Sequence, residues 1–277
     1  MMENNEQNVN ENVNENVKVE AETTEAERRS NEEKKQAKRF GRGKKAAIIF
    51  SLVFIALVIS FGAVFLLTYY DADETAIEAL HSDDDVRVSE LSYGLFFDGP
   101  STENALIFYP GAKVEEEAYA PMLHQLAKEG MDVIVVNMPL RLAVLGKKRA
   151  ERALNDKKYA NWYIGGHSMG GAMAASYASS HSDLFKGVVL FGAFTTDKLP
   201  ENLKTLFIIG EKDSVINWDK VEKAKELAAN WEELVIKGGN HAQFGNYGFQ
   251  RGDTKADIPA NTQQKLAIDF IVKELLR

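Results

Sequence analysis

The sequence predicts an α/β domain: a mostly parallel sheet with helices on both faces. Three observations lead there. Short, almost wholly apolar runs recur beyond residue 85, at 105–109, 133–137, 159–165, 188–194 and 206–209. Strands this apolar are buried on both faces, which is the mark of a parallel sheet. Helical patterns lie between them, at 115–128, 147–157, 170–180 and 219–229, as crossover connections require. The third observation is Gly166-His167-Ser168-Met169-Gly170, which reads as strand, sharp turn and helix with a serine at the apex. In open sheets of this kind, ligands bind at the carboxyl ends of the strands.

The elements follow in order. Residues 1–45 hold a low-complexity Asn/Glu/Val repeat and almost no large apolar side chains, so a disordered cytoplasmic tail is expected. Lys34, Lys35, Lys38, Arg39, Arg42, Lys44 and Lys45 crowd its end. From Ala46 to Leu67 there is no charge, a run of about 22 residues, or roughly 33 Å of helix. That is enough to cross a bilayer core. Tyr69 and Tyr70 follow at interfacial depth, and then Asp71, Asp73 and Glu74. Residues 46–70 therefore read as a transmembrane signal-anchor, with the N-terminus cytoplasmic and the rest extracytoplasmic. The run exceeds a signal-peptide core and no clear A-x-A site precedes Asp71, which argues against cleavage. Residues 71–85 read as an acidic connector, and 86–277 as the domain.

Within the domain, 86–97 reads as a strand or hairpin, and 105–109 as a buried strand stopped by Pro110-Gly111. The helix at 115–128 stops at Gly130, and the strand at 133–137 breaks at Pro139. Asp219 and Glu222 match a capping box for the helix at 219–229. A short strand at 234–236 and a final helix at 262–276 complete the chain.

Composition excludes some chemistry. The 277 residues include no cysteine, which removes disulfides, thiolate metal sites and a cysteine nucleophile. A net charge of −8 argues against nucleic-acid binding and favours neutral or cationic substrates.

The serine motif supplies the candidate site. A nucleophile elbow lifts Ser168 into a cleft and aims the Met169 amide at a developing oxyanion. Gly166 and Gly170 allow so tight a turn. A serine hydroxyl needs an imidazole to take its proton. Of the five histidines, His241 is the candidate, because its loop from Gly238 to Gly245 follows the last strand. His167 should point away from the apex. Asp213, after the strand at 206–209, is the expected orienting carboxylate, with Asp197 the runner-up and Glu211 the third choice. The order Ser168, Asp213, His241 suits a strand–elbow–helix fold. The second oxyanion donor is expected on the loop after 105–109, at Ala112, with Lys113 the alternative.

On these residues the sequence resembles the α/β-hydrolase superfamily, and its compact, capless serine esterase branch near the dienelactone-hydrolase-like members. The resemblance rests on Tyr109 to Val114, Gly165 to Gly171, Gly210 to Asp213 and Gly238 to Gly245, and it covers about residues 86–277. It implies an eight-stranded or slightly smaller sheet and a Ser-Asp-His triad without cofactor or metal. Dienelactone hydrolases typically use a cysteine nucleophile, which this chain lacks, so their substrate is not carried over. Pro110-Gly111 stands where the family usually has His-Gly. The segment between the runs at 188–194 and 206–209 is too short for a helical cap, so an open, shallow site is expected.

The expected function is membrane-anchored cleavage of a small-molecule or surface acyl ester. The same triad would serve a peptidase, thioesterase or acyltransferase, and the fold also hosts non-catalytic binding proteins.

Overall fold

The computed structural model describes residues 23–36, 38, 47–60, 62, 65, 67–100 and 102–277. The chain divides into two compact units, Met1–Leu67 and Thr68–Arg277. The Asn/Glu/Val repeat lies outside the described residues. Residues 23–36 depart from the expected disorder and are helical. They are rich in good helix formers, and Arg29 pairs with Glu25 one turn earlier at 2.8 Å. Residues 47–60 are also helical. Among the described residues no helix is long and apolar enough to cross a membrane. Positions 46, 61, 63, 64 and 66 of the expected span lie outside the described residues.

The second unit is built on one eight-stranded sheet. Its strands are β1 (Arg87–Leu91), β2 (Gly94–Asp98), β3 (Asn104–Tyr109), β4 (Asp132–Val136), β5 (Asn161–His167), β6 (Gly187–Phe191), β7 (Lys204–Gly210) and β8 (Trp231–Ile236). Their spatial order is β1-β2-β4-β3-β5-β6-β7-β8. The hairpin β1–β2 is antiparallel and β2 pairs antiparallel with β4, while all other pairings are parallel. The helices are α1 (Glu74–Glu78), α2 (Ala120–Lys128), α3 (Ala150–Asp156), α4 (Met169–Ser180), α5 (Trp218–Leu227) and α6 (Ala260–Ile271).

Alternate residues of the central strands feed two cores. Leu106, Phe108, Val133, Val135, Phe191 and Ile208 pack with α2 and α6 on one face. Ile107, Tyr109, Ile134, Ile164, Leu190 and Phe207 pack with α3, α4 and α5 on the other. A strand repeat of two residues therefore serves both layers, so the sequence shows continuous apolar runs.

Several expected elements begin or end elsewhere, three of them for a clear local reason. The helix expected from 115 opens as a 3-10 turn, Glu116–Tyr119, before α2. Pro121 sits in the first turn of α2, where a missing N–H costs nothing. The cap of α5 is Asn217, whose side chain accepts the Lys220 N–H at 3.0 Å, and not Asp219. β6 stops at Phe191 because Gly192 takes a positive φ of 50°. From Gly192 to Leu203 there is no helix, so nothing caps the site between β6 and β7.

Residues 71–85, expected as a connector ahead of a domain beginning at 86, are folded into the second unit. Tyr70 pairs in parallel with Val114. Asp73 caps α1 by accepting the Ala76 N–H, and Ala76 is fully buried. The acidic residues of this segment stay at the surface, and for that reason the stretch reads as a linker.

Candidate active site

The carboxyl ends of β3, β5, β6, β7 and β8 converge. In register, Tyr109 lies beside Gly166, and His167 beside Phe191. One step past β5, Ser168 has φ 53° and ψ −124°, a conformation that costs a non-glycine residue free energy. Close packing enforces it. A Cβ on Gly166 would lie 2.3 Å from the Tyr109 carbonyl oxygen, and one on Gly170 would lie 2.1 Å from the same atom. The elbow glycines thus let α4 approach the loop after β3 as well as turn tightly. Ser168 is half-buried and Met169 is exposed beside it.

His241 and Asp213 meet on the neighbouring strand ends. His241 Nδ1 donates to Asp213 Oδ2 at 2.7 Å, with both residues buried. The other carboxylate oxygen accepts the Val215 and Ile216 N–H groups at 2.9 and 2.8 Å. Three donors therefore fix the Asp213 carboxylate. With its proton on Nδ1, neutral His241 carries its lone pair on Nε2, which is buried and makes no hydrogen bond. Ser168 and His241 are therefore not hydrogen-bonded here, and such contacts often tighten only when substrate is bound. Among the described hydrogen bonds, neither of the other acid candidates meets His241. Glu211 accepts the Gly238 N–H, and Asp197 takes part in a local turn with Thr195. His124 and His181 bond to backbone carbonyls at Ala79 and Tyr177.

On the loop after β3, the amides sort themselves. Gly111 N–H donates to Tyr119 Oη at 2.9 Å, and Lys113 N–H to the Arg141 carbonyl at 2.8 Å. Among the described hydrogen bonds, the Ala112 amide has none. The Lys113 alternative is thus already engaged. At the first turn of α4, the N–H groups have no partner within the helix, as at any helix start.

Several contributors were not legible in the sequence. Gly192 is one: a Cβ there would stand 2.9 Å from His241 Nδ1 and 3.1 Å from Asp213 Oδ2. Asp253 is another, a buried carboxylate that accepts the Ala242 N–H at 2.9 Å and the Ser214 N–H at 3.4 Å, tying the histidine loop to the aspartate loop. Gln263 of α6 brackets Asn240, accepting its N–H at 2.9 Å and donating to its carbonyl at 2.8 Å. Behind the site lies a buried chain of hydrogen bonds. His167 Nε2 donates to the His241 carbonyl at 3.1 Å, so its Nδ1 accepts from the Tyr119 hydroxyl at 2.9 Å. That hydroxyl in turn accepts the Gly111 N–H. His167 therefore points away from the apex, as expected, and it joins the loop after β3 to the loop of His241. Burial, and secondarily His241 nearby, hold its pKa well below the usual histidine value, so it stays neutral.

Among the described residues no group of three or more histidine, cysteine or carboxylate side chains could hold a metal.

A strained serine between a parallel strand and a helix, with a buried His–Asp pair on adjoining strand ends, defines a class of α/β enzyme-like architectures. Comparison identifies the family: the model described as "Alpha/beta hydrolase family" matches residues 105–265, and this chain belongs to that family. No match is found among curated protein sequences. A predicted CIB-like hydrolase from Thermoplasma acidophilum superimposes with a TM-score of 0.51 at 14% identity, over 68% of this chain and 97% of that one. Est1E from Butyrivibrio proteoclasticus does so with a TM-score of 0.50 at 12% identity, over 70% and 100%. A second Est1E structure, with ferulic acid bound, gives 0.51 at 11% identity, over 71% and 98%. At these identities the likeness is one of fold.

Proposed function

We propose that this chain is a serine hydrolase of the compact, capless esterase type, cleaving carboxylic esters through Ser168, His241 and Asp213. His241 Nε2 takes the Ser168 proton as Oγ attacks the acyl carbonyl. The Met169 and Ala112 amides hold the oxyanion. Collapse of the tetrahedral intermediate breaks the bond to the alcohol, which leaves with the proton from His241. Water, deprotonated by the same nitrogen, then releases the acid and restores Ser168. Asp213 holds the imidazole tautomer and stabilises its cation. No cofactor enters. The observation that carries this reading is the buried 2.7 Å His241–Asp213 bond beside a serine at φ 53°.

The anchor belongs to the same proposal. Within the expected segment 46–70, the uncharged run 46–67 serves as a signal-anchor, with the N-terminus cytoplasmic and the hydrolase extracytoplasmic, and Tyr69 and Tyr70 belong to the folded domain. The uncharged run and its basic-to-acidic flanks support it. Resistance of the full chain to alkaline carbonate extraction is the expected outcome, and full release would sink the anchor.

The test of the chemistry uses the full chain and its Ser168→Ala variant with a fluorophosphonate probe and short-chain p-nitrophenyl esters. Labelling and turnover in the first, and a fall in turnover of about a millionfold with no labelling in the second, are expected. A folded wild-type chain that takes up no probe would move the non-catalytic reading of the fold to the front.

A further inference from the structure

The loop between β4 and α3 does not serve the triad. It runs through three 3-10 turns, Pro139–Arg141, Ala143–Leu145 and Lys147–Arg149. Ala143 and Met138 seat it in the core, yet Leu140, Val144 and Leu145 are 60%, 55% and 56% exposed. Leu140 and Arg141 both have positive φ, 52° and 50°. Isolated exposed leucines are ordinary, but three on one loop beside a basic cluster are not. Val144 and Leu145 line a groove of about 460 Å³ with Lys147, Lys148, Arg149 and Arg152, and Glu151 is its acidic member. Among the described residues none of these four cations pairs with a carboxylate. Lys147 donates to Ser176 at 2.6 Å and Arg149 to Asn137, while Lys148 and Arg152 face solvent. This in a chain of net charge −8 is a local reversal of sign.

The same loop grips the point where the chain enters the second unit. Tyr69 Oη donates to the Leu140 carbonyl at 3.0 Å, and the Arg141 guanidinium lies 4.8 Å over the Tyr69 ring. Arg141 also holds Asp71 at 2.8 Å and Glu115 at 2.6 Å. Tyr70 N–H donates to the Lys113 carbonyl at 2.9 Å, so this entry point also adjoins the loop of Ala112.

We propose that residues 139–152 form a docking surface for an anionic lipid bilayer. Leu140, Val144 and Leu145 enter the interfacial layer, and Lys148 and Arg152 meet acidic head groups. The choice of a bilayer over other occupants rests on the sign of the cluster and on the anchored reading above, because the loop holds Tyr69 and Asp71, which follow the uncharged run 46–67 in sequence. Docking in this pose presents the Ser168 side of the domain to esters held at the membrane surface.

The natural chain has no cysteine, so a single Val144→Cys can carry an environment-sensitive NBD label in the full chain. A second chain, labelled through Lys265→Cys on α6 in the opposite layer, serves as reference. Each is mixed with vesicles of phosphatidylcholine alone, or of phosphatidylcholine with phosphatidylglycerol and a brominated quencher lipid. Blue-shifted emission at 144 that lipid bromine quenches, stronger with phosphatidylglycerol and absent at 265, is expected. Lys148→Glu with Arg152→Glu should lower the docked-to-undocked ratio about tenfold or more at low salt. Water-like emission at 144 while the chain sediments with vesicles would overturn the docking surface and leave the anchor standing. Failure both to sediment and to shift would overturn the two together. A concentration-dependent shift without lipid would replace the bilayer with a second copy of the chain.

Discussion

The two ends of the sheet are built under different rules. At the carboxyl ends of the strands, backbone strain accumulates. Among the described residues, the four non-glycine positions with positive φ are Lys113, Leu140, Arg141 and Ser168, and all follow β3, β4 or β5. At the amino end of β4, by contrast, a buried carboxyl is satisfied without backbone strain. Asp132 opens β4 and accepts the Gly99 N–H at 2.8 Å and the Tyr159 hydroxyl at 2.6 Å. The difference teaches where to look for function. Strain of about 1–3 kcal/mol per residue persists only where surrounding packing enforces it, and here that is around the serine and the entry loop. The amino end spends its polar groups on closing the structure.

The contrast can be broken from either side. Beyond Ser168→Ala, the largest effect should come from Asp213→Asn. An amide can present its N–H₂ to His241 Nδ1 and favour the wrong tautomer, so kcat should fall about 10,000-fold while the folded state survives. Rates on p-nitrophenyl esters, alongside thermal unfolding, check it; a drop of less than about tenfold would remove Asp213 from the mechanism. Gly192→Ala comes next. Its methyl group would press on His241 Nδ1 and Asp213 Oδ2 at a φ that disfavours alanine, so a fall in kcat of about 100-fold is expected from a displacement on the order of 1 Å. Crystallography of the variant should show the His241 ring moved.

Tyr119→Phe tests the buried chain. It strips the Gly111 N–H and His167 Nδ1 of their shared partner, which costs about 1–3 kcal/mol of stability. A merely structural tyrosine would stop there. A positioning tyrosine should also lower kcat about tenfold at nearly constant KM, because Gly111 precedes the Ala112 amide. Restoring stability by lower temperature without restoring kcat would distinguish the two.

The smallest effect on activity, and the clearest on stability, belongs to the amino end. Burial raises the Asp132 carboxyl from 3.8 to about 6, opposed by its Tyr159 and Gly99 bonds. Its folded pKa thus exceeds the unfolded one, so its contribution is fully present below about pH 4 and is lost as pH rises through about 6. Asp132→Asn should flatten that part of the stability curve, by at most about 3 kcal/mol, and leave specific activity unchanged. Denaturant unfolding of both proteins between those limits measures it. An activity loss comparable to that of Gly192→Ala would erase the distinction between the two ends. His167 has the opposite sign: its depressed pKa means stability is lost as pH falls below about 6.5.

What the sequence by itself determined is the periodic and the local. Apolar runs without alternation marked the buried strands, because both faces of β3 to β7 are covered. The elbow was legible because Gly166 and Gly170 serve a turn that five consecutive residues define. The chain order of Ser168, Asp213 and His241 was legible for the same reason, each following a recognisable strand. Tertiary structure alone decided which carboxylate His241 meets, and which amides after β3 were already engaged. It also decided that residues 71–85 fold onto the domain, and that Asn217 caps α5. Gly192, Asp253 and the Tyr119–His167 chain depend on atoms brought within 3.5 Å from distant positions. No local pattern encodes such contacts, because they exist only once the strands are in register and the loops at their ends have closed on one another.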